Sequence, residues 1–297
     1  MTTEITMSHD TLFTRPAHLV EHRLNMALDA AGLPSNLLEA ARHGILGGGK
    51  RLRPALVVLA CEAVDGDTES ALPAAAALEL VHCFSLIHDD LPALDNDNMR
   101  RGKPTLHIKT SETMAILAGD HMLAMAFQHI VSSDYDCATG HALVAELAAG
   151  TTSMVIGQVF DTVGGLPDQL TPEEQLRLVH RSKTGALLRA ACRMGALCGN
   201  ADPPQLEALT SYGNAVGLMF QVVDDLLDVT QTAEHIGKAT GKDKSSGKLT
   251  YPGILGVEGS QRVVQELHEK AIAALEPLGT AAGPLRDLGQ YMAIRTK

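Results

Sequence analysis

The sequence predicts an all-α protein, and three observations carry that expectation. Five Phe, four Tyr and no Trp among 297 residues, beside abundant Ala and Leu, make a composition rich in helix formers and poor in strand formers. From Leu37 onward, apolar residues recur at i, i+3 and i+4, and the periodic segments are separated only by short Gly, Pro, Asp and Asn clusters. No linker interrupts the series, and 45% apolar against 20% charged residues can fill a large core. One domain over 1–297 follows, with residues 1–36 as an N-terminal segment outside its motif-bearing part.

In order, the pattern predicts helices near 16–31, 36–46, 53–64, 71–91, 111–132, 139–163, 172–198, 203–228, 231–236, 252–256, 259–276 and 281–294. Asp65-Gly-Asp-Thr68, Ser133-Asp-Tyr-Asp136 and Gly199-Asn-Ala-Asp-Pro-Pro204 read as turns, the last placing two prolines before a new helix. The helices near 111–132, 139–163 and 203–228 are apolar around much of their circumference, which predicts positions inside a bundle. Residues 237–248 are basic and glycine-rich, as a phosphate-handling loop or lid would be.

The net charge of −11 disfavours nucleic acid and anionic membrane surfaces as partners. An anionic substrate would need local basic clusters or metal ions. Five cysteines without CxxC spacing suggest a reducing cytoplasm. No signal peptide and no 18-residue apolar run is apparent, so a cytoplasmic chain without stable membrane insertion is expected.

Two aspartate clusters suggest the chemistry. Asp89, Asp90 and Asp95 stand at the end of an apolar helix, where Pro92 disfavours helical geometry at Leu91. In Asp224-Asp225-Leu-Leu-Asp228, Asp224 and Asp228 share a helical face that Gln221 extends. Carboxylates so close within apolar helices repel one another unless a hard cation joins them. Mg²⁺, which combines a few carboxylates with phosphate oxygens, would let the two clusters grip one diphosphate. Lys50, Arg51 and Arg53 precede a helix, where N-terminal amides favour an anion. Arg100, Arg101 and Lys103 follow the first cluster, and His82 is i, i−7 from Asp89, toward the cavity or hydrogen-bonded in the core. Gly44 to Lys50 imitates a P-loop, but Arg51 stands where Ser or Thr is required and no strand precedes it.

Gly48-Gly-Lys-Arg-Leu-Arg-Pro54, Ser85-Leu-Ile-His-Asp-Asp-Leu-Pro92 with Asp95 and Arg100-Arg101-Gly102, Gly157-Gln158 with Asp161, Lys183-Thr184, Phe220-Gln-Val-Val-Asp-Asp-Leu-Leu-Asp228 and Gly247-Lys-Leu-Thr-Tyr-Pro252 together resemble the head-to-tail trans-prenyltransferases, the short-chain isoprenyl diphosphate synthases. The resemblance covers nearly all of the chain after Leu37. It implies the all-α isoprenoid synthase bundle around a deep cavity, usually as a homodimer. It implies isopentenyl diphosphate and allylic diphosphates as substrates and about three Mg²⁺ ions held by Asp89, Asp90, Asp95, Asp224, Asp225 and Asp228. By the same resemblance Lys50, Arg53, His82 and Arg101 would bind isopentenyl diphosphate, while Arg100, Lys183 and Lys238 would bind the allylic diphosphate. Lys183, Thr184 and Gln221 would shelter an allylic cation. Phe84, with Ser85 beside it, resembles the aromatic floor of bacterial-type farnesyl diphosphate synthases and implies a C15 product; the wording around Asp95 to Asp97 and Phe220 to Asp228 resembles geranylgeranyl synthases and implies C20. The steric floor makes C15 the main expectation.

Asn98 stands where the family often has an acid, and Tyr291 to Lys297 only approximates its ending. A class I terpene cyclase is disfavoured because its second metal motif is an Asn/Ser/Glu pattern. A di-iron bundle needs paired Glu-x-x-His motifs, and only Glu79-Leu-Val-His82 occurs. A noncatalytic subunit that tunes a synthase partner would not need both aspartate clusters.

Overall fold

Helix α4 (Thr68–Asp89) is the axis on which the other elements are arranged. Ala74 to Ala77 and Leu78 are without solvent access, and these small side chains let α3 (Leu52–Glu62), α6 (Glu112–Val131) and α9 (Ala186–Cys198) approach closely. The computed structural model describes residues 9–230 and 249–295. The helix expected near 231–236 and the loop 237–248, with Lys238 and Lys248, lie outside the described residues.

Around this axis lie α1 (His9–Ala30), α2 (Ser35–Ile45), the short α5 (Leu106–Lys109), α7 (Cys137–Thr162), α8 (Pro172–His180), α10 (Pro203–Thr230), α11 (Tyr251–Ala274) and α12 (Gly283–Ile294). The starts are set by local chemistry. Ser111, Asp136 and Thr250 accept backbone N–H bonds at the beginnings of α6, α7 and α11, and Thr171 and Glu174 form a reciprocal capping box on α8.

Four departures from the expected elements bear on the site. Helix α1 begins at His9 and runs through Pro16. The segment expected as one helix over 172–198 is α8 and α9 joined by a π-helical turn, Arg181–Gly185. The pieces expected at 252–256 and 259–276 form one element with a break at Gly256, where φ is 70°. A two-stranded hairpin, β1 (Met99–Arg100) against β2 (Lys103–Pro104), was not anticipated. Its central residues Arg101 and Gly102 have φ of 51° and 74°, the left-handed pair that a two-residue hairpin loop demands.

The expected burial of α6 and α7 also needs correction. Ile116, Leu117 and Ile156 are exposed without lining either substrate-side cavity, whereas the exposed Val155, Val159 and Val163 line a cavity, so α6 and α7 are not enclosed by the bundle. By length and composition α4, α6 and α7 could each cross a membrane, contrary to the absence of any such run expected above. The apolar surface of α4 is mostly consumed by the core, whereas that of α6 and α7 is mostly in view.

Candidate active site

The last turn of α4 and the bend after it build one wall. The backbone N–H of Asp95 donates to Asp89 O at 2.8 Å, which returns the chain toward the helix end as the Pro92 break predicts. Asp90 is buried and receives a forked contact from Arg100, with Nε at 2.8 and 3.0 Å from its oxygens and Nη2 at 2.7 Å. Asp89 has no such partner among the described residues. Burial, reinforced by Asp95 and opposed by Lys183, pushes its carboxyl up to about 6.

The facing wall comes from α10. Burial raises the Asp224 carboxyl too, while Arg295 acts against that shift from 2.5 Å. Thr184 Oγ1 donates to Gln221 Oε1 at 2.9 Å, and Gln221 Nε2 donates to Asp224 Oδ2 at 3.2 Å, so a polar chain links the π-turn to the second cluster. Asp228 follows one turn on, half-buried. Asp225 departs from the expected metal role. It is buried on the other side of α10, where His180 Nε2 lies 3.2 Å away and the Tyr251 N–H donates at 2.9 Å, tying α8 and α11 to α10.

Lys183 and Thr184 are aimed by the π-turn. Gly157 of α7 lies so close that a Cβ there would stand 2.1 Å from Lys183 N, and Lys183 Nζ donates to Asp161 Oδ2 at 2.6 Å. The Gly157-Gln-x-x-Asp161 signal is therefore a seat for Lys183.

A cavity of about 590 Å³ gathers Lys50, Arg53, His82, Arg100, Arg101, Thr184, Asp224 and Arg295. The loop before α3 sorts its three basic residues. Arg51, at φ 52°, turns inward to Glu79 (2.6 Å), Glu21 (2.8 Å) and Ile45 O (2.6 Å) and is buried; it is structural, and it occupies the Glu79 of the lone Glu-x-x-His match. Lys50 reaches Tyr291 Oη at 2.7 Å. Arg53 lies 3.2 Å from His82 Nε2. Burial and then the neighbouring Arg53 and Arg101 hold His82 well below its ordinary range, so it stays neutral. Burial also lowers Arg53 and Arg101. Arg101 bonds Gly48 O across Gly49, where a Cβ would meet the guanidinium at 2.5 Å. This wall holds more positive charge than its acids balance, which favours an anion.

Beside it, a cavity of about 340 Å³ runs from Asp89, Lys183 and Thr184 past Ser85 to Phe84, Met154, Val155 and Val159. It is mainly apolar and shares Arg53, His82, Leu86 and Thr184 with the larger cavity. Phe84 is 7% exposed and turns edge-on to His88, with ring centroids 5.7 Å apart.

Neighbouring carboxylates, Asp90 buried and Asp89 and Asp224 partly so, are the hard-oxygen donors that Mg²⁺ uses, so the donor chemistry fits that ion. Among the described residues no three acidic, His or Cys side chains already converge on one ion position. Phosphate oxygens would have to complete such a site, which is the usual habit of Mg²⁺.

Sequence reasoning did not assign a role to Arg295. Its signal lies only in a basic ending, and its seat on Phe220 and Asp224 is visible only in three dimensions.

The polyprenyl synthetase family model matches residues 34–278. The chain is 43% identical over 287 residues to geranylgeranyl pyrophosphate synthase 9, chloroplastic, of Arabidopsis thaliana, covering 92% of this chain and 78% of that protein. It is 44% identical over 282 residues to the chloroplastic geranylgeranyl pyrophosphate synthase of Capsicum annuum, covering 92% and 76%. The crystal structure of an FPP/GFPP synthase from Zymomonas mobilis superposes with a TM-score of 0.83 at 32% identity, covering 95% of this chain and 99% of that one. The chloroplastic relatives overturn the cytoplasmic expectation. Four of the thiols are buried and Cys137 is exposed, and none is paired with another. With family model, relatives and fold in agreement, the chain belongs to the polyprenyl synthetase family, and its reaction class is prenyl transfer.

Proposed function

We propose that this chain condenses isopentenyl diphosphate with an allylic diphosphate to give geranylgeranyl diphosphate (C20) and pyrophosphate. The observation that carries this reading is a pair of adjoining cavities sharing Arg53, His82, Leu86 and Thr184: a polar one with Asp224, Lys50 and Arg101, and a mainly apolar one with Asp89 and Lys183. Asp89, Asp90, Asp95, Asp224 and Asp228 would hold about three Mg²⁺ ions, which when bound stabilise charge on the departing diphosphate. Asp225 is set aside from that group because of its bonds to His180 and Tyr251.

Arg100 and Lys183, held by Asp90 and Asp161, place positive charge beside the allylic diphosphate as its C–O bond breaks. Thr184 Oγ1, Gln221 Oε1 and the Lys183 carbonyl turn dipoles toward the allylic cation without offering an anionic nucleophile that would trap it. Arg53, Arg101, Lys50 and neutral His82 orient isopentenyl diphosphate so that its double bond attacks, forming the new C–C bond. The proton then lost passes to an oxygen of the released pyrophosphate. Apolar walls exclude water from the cation.

C20 replaces C15 as the favoured product because the curated relatives reported above are named geranylgeranyl pyrophosphate synthases. Phe84 itself lines the apolar cavity and turns edge-on to His88. The C15 reading keeps the support of Phe84's position five residues before Asp89, about 7–8 Å along the helix. Supplying isopentenyl diphosphate with C5, C10 and C15 primers tests this choice. C20 from every primer is expected, with longer products from Phe84→Ala; accumulation of C15 without further elongation would reinstate Phe84 as the floor. We further propose that the exposed Ile116, Leu117 and Ile156 of α6 and α7 pack against a second copy of the chain.

A further inference from the structure

Arg295 follows the last residue of α12, with φ −60° and ψ 145°, outside the helical hydrogen-bond ladder. Its Nη2 lies 2.5 Å from Asp224 Oδ1 and 2.9 Å from Phe220 O, and its guanidinium carbon lies 4.0 Å from the Phe220 ring centroid. The side chain is 8% exposed, yet its Nε is buried without an acceptor among the described residues, so the seat is incomplete. One turn earlier, Tyr291 accepts from Lys50 at 2.7 Å and packs edge-on to Phe13 at 5.3 Å. The end of α12 is thus anchored on an acid of the second aspartate cluster and on a lysine of the basic wall.

We propose that Arg295 is a resident substitute for a divalent cation at Asp224: it balances that carboxylate in the metal-free chain and must leave Oδ1 before Asp224 can ligate a metal. The inference rests on the assignment of Asp224 to metal binding made above. Displacement costs no helical hydrogen bond, because Arg295 is already outside α12, and it relieves the unsatisfied Nε. The same exchange releases a polar anchor of the C-terminal turn, so metal loading is coupled to the order of residues 291–295. A diphosphate that draws Lys50 away from Tyr291 acts on the Tyr291 anchor in the same direction.

The test uses the full chain without prenyl substrate, with inorganic pyrophosphate saturating throughout to supply the phosphate oxygens and Mn²⁺ as a paramagnetic probe. Mn²⁺ affinity is measured for wild type, Arg295→Gln and Asp224→Asn, with amide hydrogen exchange at 291–295 followed in wild type. Arg295→Gln is expected to bind Mn²⁺ about threefold more tightly, the scale of a partly exposed ion pair. Exchange at 291–295 should rise when wild type is saturated with Mn²⁺. The exchange measurement separates displacement from simple loss of a positive charge, which would tighten Mn²⁺ without moving the tail. Unmoved exchange, or equal affinity in Arg295→Gln, overturns the proposal. Wild-type-like Mn²⁺ binding by Asp224→Asn would instead overturn the metal assignment on which it rests.

Discussion

Replacing Gly157 with alanine perturbs the seat of Lys183 by a single methyl group. An added Cβ would stand 2.1 Å from Lys183 N, 2.5 Å from Lys183 Cα and 2.7 Å from Ser182 C, and all three are backbone atoms that no rotamer change can move aside. Helix α7 and the π-turn must separate by about 1 Å or more to restore ordinary contact. Overpacking of this kind costs about 1–3 kcal/mol, and against backbone the upper part of that range applies. Alanine returns roughly 1 kcal/mol through helix propensity, leaving a net loss of about 1–2 kcal/mol. Gly140 supplies the control on the same helix, because its Cβ would find only Tyr135 Cβ at 3.8 Å. Gly140→Ala should therefore stabilise by about 0.5–1 kcal/mol. Urea unfolding of the two variants should differ in sign relative to wild type, with Gly157→Ala several degrees lower in Tm than Gly140→Ala. Gly157→Ala should also lower kcat about 100-fold, since a displacement of about 1 Å moves Lys183 and Thr184 together. Equal stability of the two variants with unchanged turnover would refute the close-approach argument.

Arg51→Met should destabilise the protein by about 3–5 kcal/mol in denaturant titration, because it leaves Glu79 buried without its partner. Asp225→Asn should lower Tm by weakening the ties to His180 and Tyr251, whereas Asp89→Asn should leave Tm near wild type and reduce turnover by orders of magnitude. Arg53→Ala should mainly raise KM for isopentenyl diphosphate, and Arg100→Ala KM for the allylic substrate, in steady-state titrations of each. His129 has its pKa lowered from 6.5 to about 4 by burial and then by Arg23. The unfolded chain takes up that proton below about pH 6.5 while the folded chain resists until about pH 4, so this group's contribution to stability falls as pH drops through that window. Urea midpoints at pH 7 and pH 5 should lie closer together in His129→Gln.

The fold was legible because helical periodicity is a local signal and nearly every element carries it. Helix α4 is an apolar run ended by Pro92, and α10 carries its aspartates on a stripe that three-and-four spacing reveals. Where geometry depends on distant partners, the reading failed. The π-turn at Arg181–Gly185 sits within continuous helical periodicity, and only the close approach of Gly157 gives its placement a reason. Lys50, Arg51 and Arg53 look equivalent in sequence, but the left-handed backbone at Arg51 buries its guanidinium on Glu79 and Glu21. Asp225 shares a motif with Asp224 and diverges from it because successive helical positions point about 100° apart. The exposed apolar residues of α6 and α7 were read as core because periodicity registers apolarity without showing what covers it.

The most direct test of the central claim is to combine the purified chain with Mg²⁺, isopentenyl diphosphate and farnesyl diphosphate, and measure C20 product and released pyrophosphate together in wild type, Asp89→Asn and Asp224→Asn. One pyrophosphate per C20 in wild type, with both signals reduced by orders of magnitude in each folded variant, is the predicted result. Near-normal turnover in either variant would contradict prenyl transfer between the α4 and α10 walls.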